Sequence, residues 1–295
     1  MPNLKEVRIR INSVNSTRQI TSAMKMVAAS KLRKAQNAIL NMRPYAQKLQ
    51  HIMQDLSSDM EDSDEGLYSA IRSEEKILIV TITSNRGLCG AFNSNVVKSA
   101  INLVEGKYAE QYKKGNLSIM CLGKKGADGL NSYGITPVEV NNEIFDALTF
   151  DNAVPIAENL MAEFAEKKYD KIILIYNQFK NAAVQLLQEE PFLPIVESDN
   201  HETTGEENNP NYIFEPNKEE ILEALVPKAI KVQLYKALLD SFASEHGARM
   251  TAMHMATENA DELIKDLKLT YNKARQASIT NEILEIVGGA EALNN

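Results

Sequence analysis

The sequence predicts an α/β protein with long helices, in which the two ends of the chain pair as an antiparallel coiled coil around a small central α/β layer. Three observations carry this. Both ends sustain a three-four spacing of apolar and small residues well beyond the length of a core helix. The middle changes to short β-rich runs separated by helical segments. Aromatics make up only 6% of 295 residues, with no Trp, while Ala, Leu, Ile, Met, Lys and Glu are plentiful, a composition that favours long helices over sandwiches or barrels.

At the N-terminus, Leu4, Val7, Ile11, Val14, Arg18, Thr21, Lys25, Ala28, Leu32, Ala35, Ile39 and Met42 follow one another in steps of three and four. That spacing holds them on one helical stripe, a heptad seam interrupted only by Arg18 and Lys25. Pro2 and Asn3 precede the stripe and Glu6 follows three residues after Asn3, a pattern that satisfies the free N–H groups of a helix start.

The C-terminal run is longer: Leu225, Ala229, Val232, Lys236, Leu239, Ala243, His246, Met250, Met253, Thr257, Ala260, Ile264, Leu267, Tyr271, Ala274 and Ser278. Pro216, Asn217 and Glu220 mark its start, and Gly288 and Gly289 read as its stop. Pro227 is expected to kink the helix or delay its start. At 1.5 Å per residue the two helices reach about 75 Å and about 100 Å. Neither fits inside a compact domain, and pairing the ends of one chain in parallel needs a very long return, so antiparallel pairing is the economical reading. The plainer alternative is two amphipathic helices packed on a globular core.

In the middle, 77–83 (ILIVTIT), 117–122 (LSIMCL) and 171–176 (KIILIY) read as strands, with helices from the end of the loop 84–93 to about residue 105 and over 152–168. The alternation predicts a mostly parallel sheet. Residues 199–210, polar and acidic, read as a surface loop. The divisions expected are 1–60 for the first helix, 75–214 for the α/β domain and 215–295 for the second helix.

Charge is unevenly spread. The net charge is −8, yet residues 1–50 hold ten basic side chains and one acid, Glu6, followed by Asp55, Asp59, Glu61, Asp62, Asp64 and Glu65. The first helix is therefore a cationic rod suited to an acidic partner, while the overall charge gives no attraction to nucleic acid. Cys89 and Cys121 form no Cys-x-x-Cys pair and are expected to be buried thiols in a reducing compartment. No run approaches the roughly 18–20 apolar residues that cross a bilayer, and the start lacks the apolar core of a signal peptide, so membrane association has to come through partners.

Chemistry-bearing motifs are sparse. The loop SNRGLCGAFNSN (84–95) invites a phosphate-binding reading, because a glycine turn at a helix start offers free N–H groups and a favourable dipole. It lacks the Gly-Lys-Ser/Thr that supplies a lysine and a magnesium-binding hydroxyl, and Gly87 and Gly90 do not complete a dinucleotide fingerprint. GKKG at 123–126 lacks the hydroxyl too. Both are read as tight turns and close packing. His51, His201, His246 and His254 are scattered, and no nucleophile sits in a recognisable context, so no catalytic residue, cofactor or metal is expected in this chain.

Some apolar residues fall off the seams: Ile20, Met24, Met26 and Val27 on the first helix, then Ile279, Ile283, Leu284, Ile286 and Val287 on the second. The last group lies beyond the end of the seam, where the longer helix has to project as an apolar tip into something that shields it. Burial against the neighbouring helix, or dimerisation, is the competing account.

Two segments resemble the gamma subunits of the F-type rotary ATP synthase, of bacterial type: ITSAMKMVAASKLRKAQ (20–36) and LTYNKARQASITNEILEIVGGA (269–290). ASEHGARMTAMHMATENADELI (243–264) and RGLCG (86–90) are similar to that family as well. The resemblance implies an antiparallel coiled coil with a Rossmann-like α/β domain at its base. It also implies a rotor that couples proton flow through a membrane ring of c subunits to ATP synthesis or hydrolysis on a hexamer of three alpha and three beta subunits. Epsilon is a further implied partner, and catalysis is implied to reside in beta, not in this chain.

By motif position the resemblance puts Met24 and Lys25 at one contact with beta, and Arg249, Arg275, Gln276, Thr280 and Glu282 at a second. Ile279, Ile283, Ile286 and Val287 become an apolar bearing tip. Neither cysteine supplies the regulatory dithiol of chloroplast forms, and the implied setting is the cytoplasmic face of a bacterial plasma (inner) membrane, with membrane contact only through the complex. Two rivals remain distinguishable: a nucleotide-binding α/β protein with a coiled-coil dimerisation arm, which needs affinity for ATP or NAD, and a nucleic-acid or lipid binder, whose binding would fall steeply with salt.

Overall fold

The computed structural model describes residues 4–57, 68–70, 72–195 and 218–294. The chain forms two compact units, Met1–Ala29 with Arg249–Asn295, and Ser30–Ala248. Helix α1 (Leu4–Ser57) has 54 residues and α6 (Lys218–Asn294) has 77, about 80 Å and about 115 Å of helix. Asp59, Glu61, Asp62, Asp64 and Glu65, the acidic stretch 199–210, and the start signals Pro2, Asn3, Pro216 and Asn217 lie outside the described residues.

Both helices outrun their punctuation. Pro227 does not delay α6, which begins at Lys218, and Pro44 lies inside α1. A proline removes one N–H bond and costs about 3 kcal/mol, but Ile39 and Leu49 are buried on either side of Pro44, and Ile230 and Leu234 just after Pro227. Gly288 and Gly289 do not stop α6, contrary to expectation; the helix continues to Asn294. Each glycine costs about 1 kcal/mol relative to alanine, which weakens a helix without ending it when no αL residue or proline follows.

The other unit is built on a five-stranded sheet in the order β3-β2-β1-β4-β5. Its strands are β1 (Ile77–Ile82), β2 (Leu117–Leu122), β3 (Glu139–Asn141), β4 (Lys171–Phe179) and β5 (Gln185–Leu193). Ile77 of β1 pairs with Leu117 on one side and Lys171 on the other, both in parallel, and only β5 runs antiparallel. Every residue of β1 is buried, as a central strand covered on both faces requires. One face packs on α5 (Phe150–Ala165) and the 230–238 part of α6; the other packs on α2 (Phe92–Glu105) and α4 (Lys124–Ser132).

The mostly parallel sheet and its three expected strands are present. Missed were β3, which is three residues long, and β5, whose run QLLQEEPFL alternates poorly and contains Pro191. An edge strand tolerates that proline, and the β4–β5 register shifts between Ile172 and Ile173, beside it. Helices α3 (Ala109–Lys113) and α4 were not expected either.

Candidate functional site

The expected contact residues all fall in the unit formed by Met1–Ala29 and Arg249–Asn295. There α1 and α6 run antiparallel, in a register fixed by three polar pairs. Arg18 Nη1 donates to Asp261 Oδ1 at 2.9 Å, Thr21 and Thr257 share a hydroxyl bond of 2.8 Å, and Lys25 Nζ lies 3.2 Å from His254 Nδ1. The two residues that break the apolar seam are thus answered from the opposite helix. The ion pair is half-exposed and worth at most about 1 kcal/mol, so its contribution is register more than stability.

The seams are where the spacing places them. Val7, Thr21 and Ala28 are buried on α1, and Met253, Ala260, Ile264 and Leu267 on α6. Met24 and Lys25 are half-buried at the edge of the seam, while Ile20, Met26 and Val27 expose about 60% or more of their surface on the outer face. His254 Nε2 faces Glu258 Oε1 at 3.5 Å. Arg249 is buried, 8% exposed, and its interactions are within the protein.

Carried on to Leu4, this register sets the described start of α1 across from Arg275. Beyond Ser278 every described side chain to Ala290 is exposed. Ile279, Ile283, Leu284, Ile286 and Val287 expose 48, 54, 63, 71 and 53% of their surface. Of the second expected contact group, Arg275, Gln276, Thr280 and Glu282 are exposed on this segment. Thr280 Oγ1 donates to Gln276 O at 2.9 Å, and Ser278 Oγ to Glu282 Oε1 at 3.4 Å. Arg275 and Glu282, seven apart, share a helix face, whereas Arg249 lies seven turns back along α6.

The competing site is the crevice at the carboxyl end of β1, where the strand order reverses and nucleotides bind in sheets of this kind. Beside it, the donors at the start of α4 are already used. Lys124 N–H bonds Asn85 Oδ1 at 3.1 Å, Lys125 N–H bonds Ser84 O at 3.0 Å, and Gly126 N–H bonds Thr83 Oγ1 at 2.8 Å, so the first three donors of α4 have protein acceptors. Asn93 Oδ1 accepts from Ser84 N–H at 2.9 Å. A Cβ on Gly123 would lie 2.2 Å from Thr83 O, and one on Gly126 2.8 Å from Thr83 Oγ1; these glycines serve close packing, as read from the sequence. Cys89 and Cys121 are buried free thiols, and burial pushes the Cys121 thiol up. Among the described residues no group of three His, Cys, Asp or Glu side chains is placed to hold a metal, and no helix is long and apolar enough to cross a membrane.

One constellation escaped the sequence reading. Asp240, 1% exposed, lies 3.6 Å from Arg43 Nη2, and the same nitrogen donates to Phe179 O at 3.2 Å. Burial pushes the Asp240 carboxyl above the ordinary range, and Arg43 and Lys236 pull it back only in part. The available signal was a lone acid inside the apolar run LLDSFA.

Residues 3–293 match a family model described as ATP synthase. The chain is 60% identical to the ATP synthase gamma chain of Christiangramia forsetii and 52% identical to that of Cytophaga hutchinsonii, in both cases over all of each chain. Among solved structures, it resembles a chain in the cryo-EM structure of the Tetrahymena thermophila mitochondrial ATP synthase central stalk and c-ring. That likeness has 28% identity and a TM-score of 0.57, covering 80% of this chain and 99% of the other. A chain of the Euglena gracilis mitochondrial ATP synthase rotor shares the fold with a TM-score of 0.67 at 23% identity, covering 94% of this chain and 98% of the other.

Proposed function

This chain belongs to the gamma-chain family of the ATP synthases, and from that premise we propose how its central-stalk role is carried out. The two long helices (1–60 and 215–295) act as a shaft inside a hexamer of three alpha and three beta subunits. The α/β domain (75–214) is the mount that meets epsilon and the c-ring. Proton flow turns ring and shaft together, at the cytoplasmic face of a bacterial plasma membrane, and the catalytic sites lie on beta. The shaft presents a different face to each beta subunit, so its angle biases which site is open, a population shift produced by differential contacts.

The observation that carries this reading is the unpaired end of α6. A helix that outlasts its partner and exposes Ile279, Ile283, Ile286 and Val287 in succession needs a sleeve. Met24 and Lys25 then meet an acidic lever segment of beta, and Arg275, Gln276, Thr280 and Glu282 form a second contact; Arg249, buried and about seven turns back along α6, lies apart from that second contact. Long-range attraction to the cationic α1, without deep side-chain locking, permits grip and release as the shaft turns. The test is reconstitution with alpha and beta subunits. The chain should convert a nearly idle hexamer into a cooperative ATPase; unchanged activity would refute the shaft reading.

A further inference from the structure

We propose that Arg43 is a positioning residue that ties α1 to the sheet and to α6, so that both helices of the shaft turn with the mount. The inference rests on the rotor reading above. It starts from an asymmetry within the unit Ser30–Ala248. The apolar core on one sheet face includes Ile230, Leu234, Ala237 and Leu238 of α6, packed with Leu174 and Tyr176 of β4, and among the described residues it includes none from α1. At Gly247 the α6 backbone also presses on the β4–β5 turn, where a Cβ would meet Ala182 Cα at 3.2 Å and Phe179 Cε2 at 3.4 Å. Helix α6 is therefore fixed to the sheet twice over.

Helix α1 is held differently. In this unit it buries Leu32, Ala35 and Ile39, which lie on its heptad seam. An apolar seam that includes alanine resists separation, but it is non-directional and opposes sliding and twisting weakly. Arg43 supplies direction. Its Nη2 donates to the carbonyl of Phe179 at the end of β4 and sits 3.6 Å from Asp240 of α6, so one guanidinium joins three elements. Asp240 is held there at a cost: among the described residues neither carboxylate oxygen has a hydrogen-bond partner. A buried charge with so little compensation is poor stabilising chemistry, and its use is to fix one arrangement of the elements around it.

The test uses the whole ATP synthase in membrane vesicles and reads protons pumped per ATP hydrolysed. Arg43→Met combined with Asp240→Asn removes the tie without leaving a buried charge. It should assemble and hydrolyse ATP like the wild type while pumping several-fold fewer protons per ATP. Arg43→Lys keeps a cation and a donor and should restore most of the coupling. Wild-type coupling in the double variant would overturn the proposal, as would a lysine variant just as defective. Failure of the double variant to assemble would overturn it too, because Arg43 would then serve folding and not coupling. Absence of pumping with the wild-type chain would refute the rotor reading, independently of Arg43.

Discussion

If the end of α6 is seated in an apolar sleeve, trimming Ile286 weakens binding to the hexamer by an amount that the structure bounds. Ile279, Ile283, Ile286 and Val287 each expose between about half and three quarters of their surface, together a little over two complete side chains. Full burial of such a side chain is worth about 1.5–3 kcal/mol, so shielding all four is worth roughly 3–6 kcal/mol. Ile286, the most exposed at 71%, accounts for about 1–2 kcal/mol of that. Ile286→Ala should therefore raise the dissociation constant from the alpha-beta hexamer roughly 5- to 30-fold, and Ile286→Glu further, since a carboxylate enters an apolar site unpaired. The free chain should melt nearly unchanged, because among the described residues this side chain is largely exposed. Titration of labelled chain into the hexamer, with ATPase activity recorded in parallel, measures both. Wild-type affinity and turnover in Ile286→Glu would refute the reasoning.

Four further substitutions test the fold around these sites. Gly123→Ala puts a methyl 2.2 Å from the Thr83 carbonyl at a φ of +112° and should cost about 3–5 kcal/mol, read as a lower urea midpoint. Asp240→Asn tests the buried carboxyl. Folding raises its pKa, so the native chain holds that proton more tightly than the unfolded one, and stability is lost as pH climbs above the ordinary aspartate value of 3.8. The variant should match the wild type below that value and become progressively more stable than it toward neutrality; parallel stability–pH curves would refute the assignment. Gly288→Ala and Gly289→Ala meet nothing within 4 Å and should each stabilise the end of α6 by up to about 1 kcal/mol, seen as slower amide exchange there.

The seams were legible in detail because a heptad repeat is a local signal repeated many times. Its two flaws, Arg18 and Lys25, are answered from the opposite helix by Asp261 and His254, which the spacing alone did not identify. Gly288, Gly289 and Pro227 failed as punctuation because their cost is small beside the helix that continues around them. Strand β5 was hidden because its pairing with β4 depends on backbone geometry that a sequence rich in Gln and Glu does not advertise. The Arg43–Asp240 pair joins residues almost 200 positions apart and has no local signature at all.

The nucleotide-binding alternative turns on where backbone donors go, and the GKKG turn at the start of α4 argues against a phosphate site of its own. A phosphate cradle requires unpaired N–H groups at a helix start. At the start of α4 those groups are taken by Asn85, Ser84 and Thr83, which belong to β1's own exit and hold β1 to the neighbouring turn. Freeing them for a phosphate would break three bonds within a packed region and move Gly123, which has no space to move into on the Thr83 side. The same polar residues that a nucleotide site would use as ligands are thus spent on rigidity. A rigid sheet bonded at one end to Arg43 and packed along α6 is suited to carrying twist, and it is poorly suited to opening around a ligand.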